Sequence, residues 1–390
     1  TIRASRADIT DRKGRVLATN LGTHSLYAQP RQMVDPARAA RELARIFPGL
    51  DAAALHRRFT DGRSFLWIEK TLSPEEMQAV HDIGEPGLLF GPREMRLYPN
   101  GRLAAHVLGG ASFGREGVHA AEVIGTAGIE KAFDARLRDP ARAGAPLVTS
   151  LDLTVQAATR RVLSGGMRLL NAKGASAVLM DAESGEIVSL VSLPDFDPND
   201  RPAALTDGDA SDSPLFNRAV QGVYEFRGKD FGEIPVSEII VESSNRGTGR
   251  LALQIGPERQ RDFLERFGFL APTEIELVEA PTGRPLTPER WQELSAVTIS
   301  YGHGISTSPV HLAAGYASLV NGGTRVRPTL LRRPAPDRGA RLVSERTSRA
   351  VREMLRAVVT DGTASFGEVA GYAVGGKTGT ADKPRAAGGG

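Results

Sequence analysis

Near the carboxyl end the chain reads Gly371-Tyr372-Ala373-Val374-Gly375-Gly376-Lys377-Thr378-Gly379-Thr380. One amine and two hydroxyls stand on a short segment flanked by glycines, and two chemistries use such a set. Gly371 to Thr378 fits G-x-x-x-x-G-K-[ST], a loop that cradles phosphates. Lys377-Thr378-Gly379 also fits K-T-G, a triplet that serves acyl transfer by a serine nucleophile. The two demand opposite local structures. A phosphate loop needs a helix directly after Lys-Thr, whose free N–H groups hold the anion. The acyl-transfer triplet needs only an extended edge.

The residues downstream of the triplet argue against a helix. Gly379 is a poor helix former, Pro384 breaks a first turn, and the chain runs out in Gly388-Gly389-Gly390. The run Ala177-Val178-Leu179-Met180-Asp181 could be the strand-Asp partner of a phosphate loop, but it precedes the loop in reverse of the usual order. Tyr372 to Val374 carries β-formers suited to an edge strand, and a strand is the expectation here. A P-loop nucleotide-binding protein stays as the distant alternative.

Composition narrows the class. The 390 residues are 41% hydrophobic and 24% charged, ordinary for a soluble globular chain with enough length for two or three domains. Basic and acidic residues nearly balance at 49 to 46, with seven lysines against 42 arginines. No basic run is interleaved with aromatics, so no nucleic-acid partner is expected. With no cysteine there is no disulfide and no thiolate metal site. No apolar run reaches the length that spans a bilayer, and no signal-like segment opens at Thr1.

A second chemical set, Ser243-Ser244-Asn245, lies in a polar interruption (243–248) of an otherwise helical stretch, 236–269. It puts a hydroxyl and an amide where they can face a cleft. Such triplets are ordinary turns when alone, but S-x-N succeeded by K-T-G is a paired signature. Other elements must hold the two. Residues 6–18 read as strand, turn at Lys13-Gly14, strand, with charges on a solvated face. Asp35-Pro36 opens a helix with Ala40, Leu43 and Phe47 on its buried side, and Ser73-Pro74-Glu75-Glu76 opens another with a capping box. His106 beside Val107 and Leu108 reads as a satisfied core or hinge residue. A Pro/Ala/Gly-rich break at 139–146 is the domain boundary. Beyond it Asp152 caps a helix with Val155, Ala158, Val162 and Leu169 on one face. A hairpin comes next, 175–181 and 186–193, turning at Glu183-Ser184-Gly185. Further helices open at Gly256-Pro257, with Phe263, Leu264 and Phe267 facing a core, and at Ser308-Pro309. Val351, Met354, Leu355, Val358 and Val359 form a last amphipathic stripe. The fold class is α+β.

With these motifs in order, the chain resembles the class B penicillin-binding proteins, and is most similar to the septal, cell-division D,D-transpeptidases of Gram-negative bacteria. Residues 6–14, 96–101 with 105–109, and 128–131 resemble the motifs of that family's N-terminal pedestal. Residues 192–199, 216–219, 298–304 and 375–381 resemble its transpeptidase domain. The resemblance implies a dimerisation-type, non-catalytic pedestal at 1–146 and a penicillin-binding, serine β-lactamase-like domain at 147–390. It implies that Ser243 relays protons around the nucleophile and that Asn245 holds the substrate's peptide amide. Lys377 contributes positive charge, while Thr378, Gly379 and Thr380 form the strand whose hydroxyls bind the carboxylate of a D-Ala-D-Ala stem peptide or a β-lactam. The Thr380 N–H forms half of an oxyanion hole. No cofactor and no metal are implied. Implied partners are peptidoglycan stem peptides, β-lactams and membrane proteins of the division machinery such as a lipid-linked glycan polymerase. The implied location is the inner membrane, periplasmic side, with the anchor outside these residues.

One departure matters. The family's Ser-x-x-Lys is absent: three residues before Lys13, Lys70, Lys131, Lys173, Lys229 and Lys377 stand Thr10, Trp67, Gly128, Leu170, Phe226 and Val374. Only Thr380 precedes a lysine, Lys383, at that spacing, in a Gly/Pro-rich tail. The chain passes from Tyr224-Glu225 to Phe226-Arg227 where the family enters the helix bearing its nucleophile, so the 225/226 join reads as an excision. The two strands that come after K-T-G in the family, and lie between it and the early hairpin, are also missing. Hairpin and Lys377 segment are then expected to be separate, with unpaired edges, around a large void. The expectation is that the intact protein carries the nucleophile segment and cross-links septal peptidoglycan through an acyl-serine. The alternative is a true deletion, leaving a catalytically inactive division scaffold of the same fold.

Overall fold

The computed structural model describes residues 6–117, 120–142, 144–222, 225–227 and 235–382. The N-terminal part is built on β1 (Ile9–Thr10) and the long β2 (Val16–Ala28), joined by the expected turn. Helices α1 (Pro36–Ile46) and α2 (Ala52–Thr60) precede β3 (Leu66–Leu72), and α3 (Pro74–His81) precedes β4 (Leu88–Leu97). Then come α4 (Ala105–Leu108), β5 (Gly110–Gly117), β6 (Ala120–Ala127), α5 (Gly128–Ala132), α6 (Asp134–Leu137) and β7 (Leu147–Val148). The sheet runs β3-β2-β1-β7, with β4 on β2 in unbroken antiparallel register from Thr19↔Leu97 to Ala28↔Leu88. Asp35 and Ser73 cap α1 and α3 as their sequences require, Ser73 through a reciprocal bond with Glu76. Ala40, Leu43 and Phe47 are buried with Leu26, Phe59 and Leu66 in a first core.

A second core crosses residue 146. Ile9, Leu17, Leu108, Ile129 and Leu147 are buried together with Leu151, Ile187, Leu190, Val220 and Leu330. Strand β1 pairs antiparallel with β2 and parallel with β7, so the first strand reaches the later half of the chain. The charges of residues 11–15 are not a solvated face. Asp11 is fully buried, accepting from Lys13 N and Arg15 N (both 2.9 Å), Arg15 Nε (2.8 Å) and Leu153 N (3.1 Å). Arg15 and Lys13 also reach Asp152 (2.8 and 2.7 Å), which itself caps the helix after it. Arg12 and Arg332 meet on Glu186 (3.0 and 2.8 Å). A carboxylate holding several donors in a buried seam is worth more than the same charges in water, which decides for a structural role.

The later part holds α7 (Leu153–Leu169), β8 (Ala175–Met180), β9 (Ile187–Leu193), β10 (Glu225–Arg227), α8 (Val236–Val241), α9 (Asn245–Ile255) and α10 (Pro257–Arg266). It closes with α11 (Glu293–Ser300), α12 (Pro309–Val320), α13 (Glu345–Thr360) and β11 (Thr380–Asp382). As expected, the hairpin β8-β9 and the carboxyl-terminal strand belong to different sheets: β11 pairs only with β10 among the described residues. Two expectations are corrected. The α7 stripe is not core, since Val162 and Leu169 are 71% and 86% exposed. A two-stranded sheet offers too little surface to cover it, and α7 docks instead through buried Gln156, which bonds Leu190 O, Leu190 N and Ser189 Oγ (2.8–3.0 Å). In α10 Phe267 is buried, but Phe263, stacked on it at 4.5 Å, is half-exposed.

His106 is buried as a core residue. Its Nε2–H donates to Pro214 O (2.8 Å), and the ring stands edge-on to Phe196. Burial pulls its pKa down to about 4. Between that value and the ordinary 6.5 the unfolded chain binds the proton and the folded chain does not, so stability falls as pH drops through this window. Full protonation costs roughly 3 kcal/mol. In His106→Gln this acid-side loss between pH 6.5 and 4 is expected to disappear from urea unfolding curves. A second prediction concerns Glu130, fully buried, which accepts from Arg6 Nε (2.8 Å) and Arg96 Nε (2.7 Å). Glu130→Gln leaves buried Arg96 without its carboxylate and Arg6 with Asp134 alone (2.7 Å), and thermal or urea unfolding should register a loss of about 3–5 kcal/mol.

Candidate functional site

The Ser243 corner is made by two helices that nearly abut. Helix α8 ends at Val241 with Glu242 as its C-cap, and the Ser244 N–H reaches back to Ile239 O (2.9 Å), which closes the helix with Ser243 in the left-handed region at φ 60°. Glycine is the usual occupant of that position, and a serine there carries a strain of order 1 kcal/mol. Ser244 then caps α9, accepting from Gly247 N (3.2 Å). The polar interruption therefore spans only 242–244, not 243–248, because the Ser244 cap lets the next helix start at Asn245. Ser244 is consumed by capping and buried, so Ser243 is the hydroxyl left to face outward.

The opposite wall is the Lys377 segment. It is not the strand expected at Tyr372 to Val374: no strand is present from 371 to 379, and β11 begins at Thr380. Among the described residues no strand neighbours the segment there, and it lies along α13 instead. Gly376 N–H donates to Leu355 O (3.0 Å), Arg356 Nη1 donates to Val374 O (2.8 Å), and Val374 packs on buried Val358 and Val359 with Ile240 of α8. A Cβ on Gly375 would stand 3.3 Å from the α13 backbone, so glycine allows the close approach. No helix begins at or after Thr378 among the described residues, so the phosphate-loop alternative lacks the helix it requires.

The two walls meet. Lys377 Nζ donates to Ser243 Oγ and to its neighbour's carbonyl, Thr378 O (2.9 Å). Lys377 is half-buried, and that burial lowers its pKa below the ordinary lysine value. Among the described residues no carboxylate pairs with it. Thr378 Oγ1 exchanges a hydrogen bond with Thr363 Oγ1 (2.9 Å), a partner that carried no signal beyond its place after Gly362. Asn245 opens α9 and, with Arg250, Leu253, Val297 and Tyr301, lines a pocket beside the corner; no hydrogen bond joins it to Lys377 among the described residues. Gly379 is exposed. Thr380 begins β11, its backbone in register with Arg227, while its side chain lies outside the described residues. Of the 225/226 join, Glu225–Arg227 form β10; Val223, Tyr224 and residues 228–234 lie outside the described residues, as does the tail with Lys383 and Pro384. A half-buried amine thus lies against the Ser243 hydroxyl, with the Thr363–Thr378 hydroxyl pair beside it in the chain and β11 continuing from the triplet. Among the described residues no cluster of side chains could hold a metal ion, and no helix is long and apolar enough to cross a membrane.

Comparison with known proteins shows the family. The penicillin-binding protein dimerisation domain matches residues 1–143, and the penicillin binding protein transpeptidase domain matches 227–390. The probable peptidoglycan D,D-transpeptidase FtsI of Caulobacter vibrioides is 32% identical, across 98% of this chain and 70% of its own length. The probable peptidoglycan D,D-transpeptidase PenA of Neisseria meningitidis is 28% identical (98% and 75%), and the peptidoglycan D,D-transpeptidase FtsI of Escherichia coli K12 is 24% identical (98% and 74%). The first of these alignments runs to 430 positions, longer than the chain itself, so that relative carries residues inside the matched span that this chain lacks. Dimerisation and transpeptidase domains in this order, on a fold that joins Lys377 to Ser243, establish that the chain belongs to the penicillin-binding proteins of the peptidoglycan D,D-transpeptidase family.

Proposed function

We propose that this protein cross-links peptidoglycan stem peptides at the septum through an acyl-serine, and that β-lactams enter the same groove. The observation that supports this reading is the contact between Lys377 of the K-T-G triplet and Ser243 of the S-x-N triplet. In it Lys377 supplies positive charge, Ser243 relays protons, and Asn245 holds the peptide amide. Thr378, Gly379 and Thr380 take the terminal carboxylate. Residues 1–146 act as the pedestal and 147–390 as the transpeptidase domain. The working location is the periplasmic side of the inner membrane, on an anchor outside these residues, beside division-machinery membrane proteins such as a lipid-linked glycan polymerase. The nucleophilic serine belongs to a segment inserted at the Glu225–Phe226 join, in keeping with the longer aligned span of the relatives.

Protein purified from its native cells tests this reading. Trypsin cuts after Arg218 and Arg227, so an uninterrupted join yields a peptide of residues 219–227. The expected result is that this peptide is missing and that fluorescent penicillin labels a serine between Glu225 and Phe226. Recovery of the 219–227 peptide from protein that takes up no penicillin would favour the inactive scaffold instead.

A further inference from the structure

We propose that Arg356, oriented by Glu368, is a positioning residue for acyl transfer: its guanidinium ties the middle of the loop before Lys377 to that loop's return. The inference rests on the acyl-transfer reading and adds to it two residues outside both motifs. Between α13 and the triplet the chain makes one loop, 361–376, that doubles back along its own helix. Near its start the Ala364 N–H donates to Val358 O (3.0 Å), and at its end the Gly376 N–H donates to Leu355 O (3.0 Å). Little apolar burial holds the loop down. Ala364 and Val374 pack on Val358 and Val359, but Phe366, Val369 and Tyr372 are 86%, 49% and 73% exposed. The hydrophobic contribution scales with the apolar area removed from water, so the placement of this loop falls to its hydrogen bonds.

Arg356 supplies the bonds that join one part of the loop to another. Its two terminal nitrogens hold both carboxylate oxygens of Glu368, with Nη2 to Oε1 at 2.9 Å. Nη1 also donates to Val374 O (2.8 Å), three residues ahead of Lys377. Among the described residues no other side chain from outside the loop bonds it at two such points. A planar fork of donors can serve a carboxylate and a carbonyl at once, whereas an ammonium is a single point charge. The shared hydrogen bond raises the Arg356 pKa and lowers that of Glu368, so the pair stays charged through neutral pH. With side chains 34% and 45% exposed, the pair adds little to stability. What it sets is geometry, and a displacement of about 1 Å near reacting groups can slow a reaction about 100-fold.

The test uses protein made from its native gene, with the segment at the Glu225–Phe226 join present, and follows acylation by fluorescent penicillin across a range of concentrations. Arg356→Met is expected to label to the wild-type stoichiometry, with a first-order acylation constant at saturating penicillin at least about ten-fold lower. Its melting temperature should stay within about 4 °C of the wild type. Arg356→Lys, which keeps the charge and one donor contact, should recover part of the rate. Glu368→Gln should lose less than Arg356→Met, and the double variant should be no slower than Arg356→Met alone, because residues acting as one device are not additive. A merely structural role gives a different pattern: a smaller labelled fraction, reacting at the wild-type rate, with a lower melting temperature. That pattern, a wild-type constant in Arg356→Met, or additive losses in the double variant would each overturn the proposal and leave the acyl-transfer reading standing. A wild type that takes up no penicillin would remove that reading and this inference together.

Discussion

The later half of the molecule is organised by one half-buried amine. Lys377 reaches Ser243 only because three separate constraints coincide. The glycines before it let the segment lie close on α13, Arg356 and the Leu355 carbonyl fix its height there, and the left-handed turn after α8 presents Ser243 toward it. A lysine in water gains little from a single hydroxyl. Here desolvation raises the worth of each contact and lowers the amine's proton affinity together. The same geometry therefore fixes the amine's place and shifts its proton affinity at once.

The N-terminal part contributes position. Its first strand and the buried Asp11 are bonded to the start of α7, and Glu186 on the edge of β9 collects one arginine from each side. These charges lie in a seam whose apolar floor includes Ile9, Leu147, Ile187 and Leu330. Directional, desolvated pairs over a shared core resist sliding, because moving one side strands a buried charge. The hairpin β8-β9 is tied to the N-terminal part through this seam, and β8 has no second strand partner among the described residues.

Local chemistry was legible in the sequence, and partner-dependent structure was less so. The starts of α1, α3 and α12 can be read from Asp35-Pro36, Ser73-Pro74-Glu75-Glu76 and Ser308-Pro309, since a cap bonds within its own first turn. The pairing of Ser243 with Lys377 came from two short motifs, although 134 residues separate them. The Tyr372–Val374 strand did not form, because β-formers become a strand only beside another strand and α13 occupies that side. The α7 stripe stayed exposed for a related reason: periodicity marks the face that could be buried, and a two-stranded sheet cannot cover it. Thr363 was invisible, being one threonine after a glycine until the fold sets it beside Thr378.

The distance between the two walls is the quantity on which the rest depends. The chain has no cysteine, so nitroxide labels can be placed cleanly at two introduced cysteines. Arg246 on α9 and Gly379 after the triplet are both exposed, and each lies two or three residues from the contact. Pulsed electron paramagnetic resonance on that pair should give a single short distance with a narrow distribution. A broad distribution at long distance would mean that the Lys377 segment is not docked against the Ser243 corner, and the account would fail.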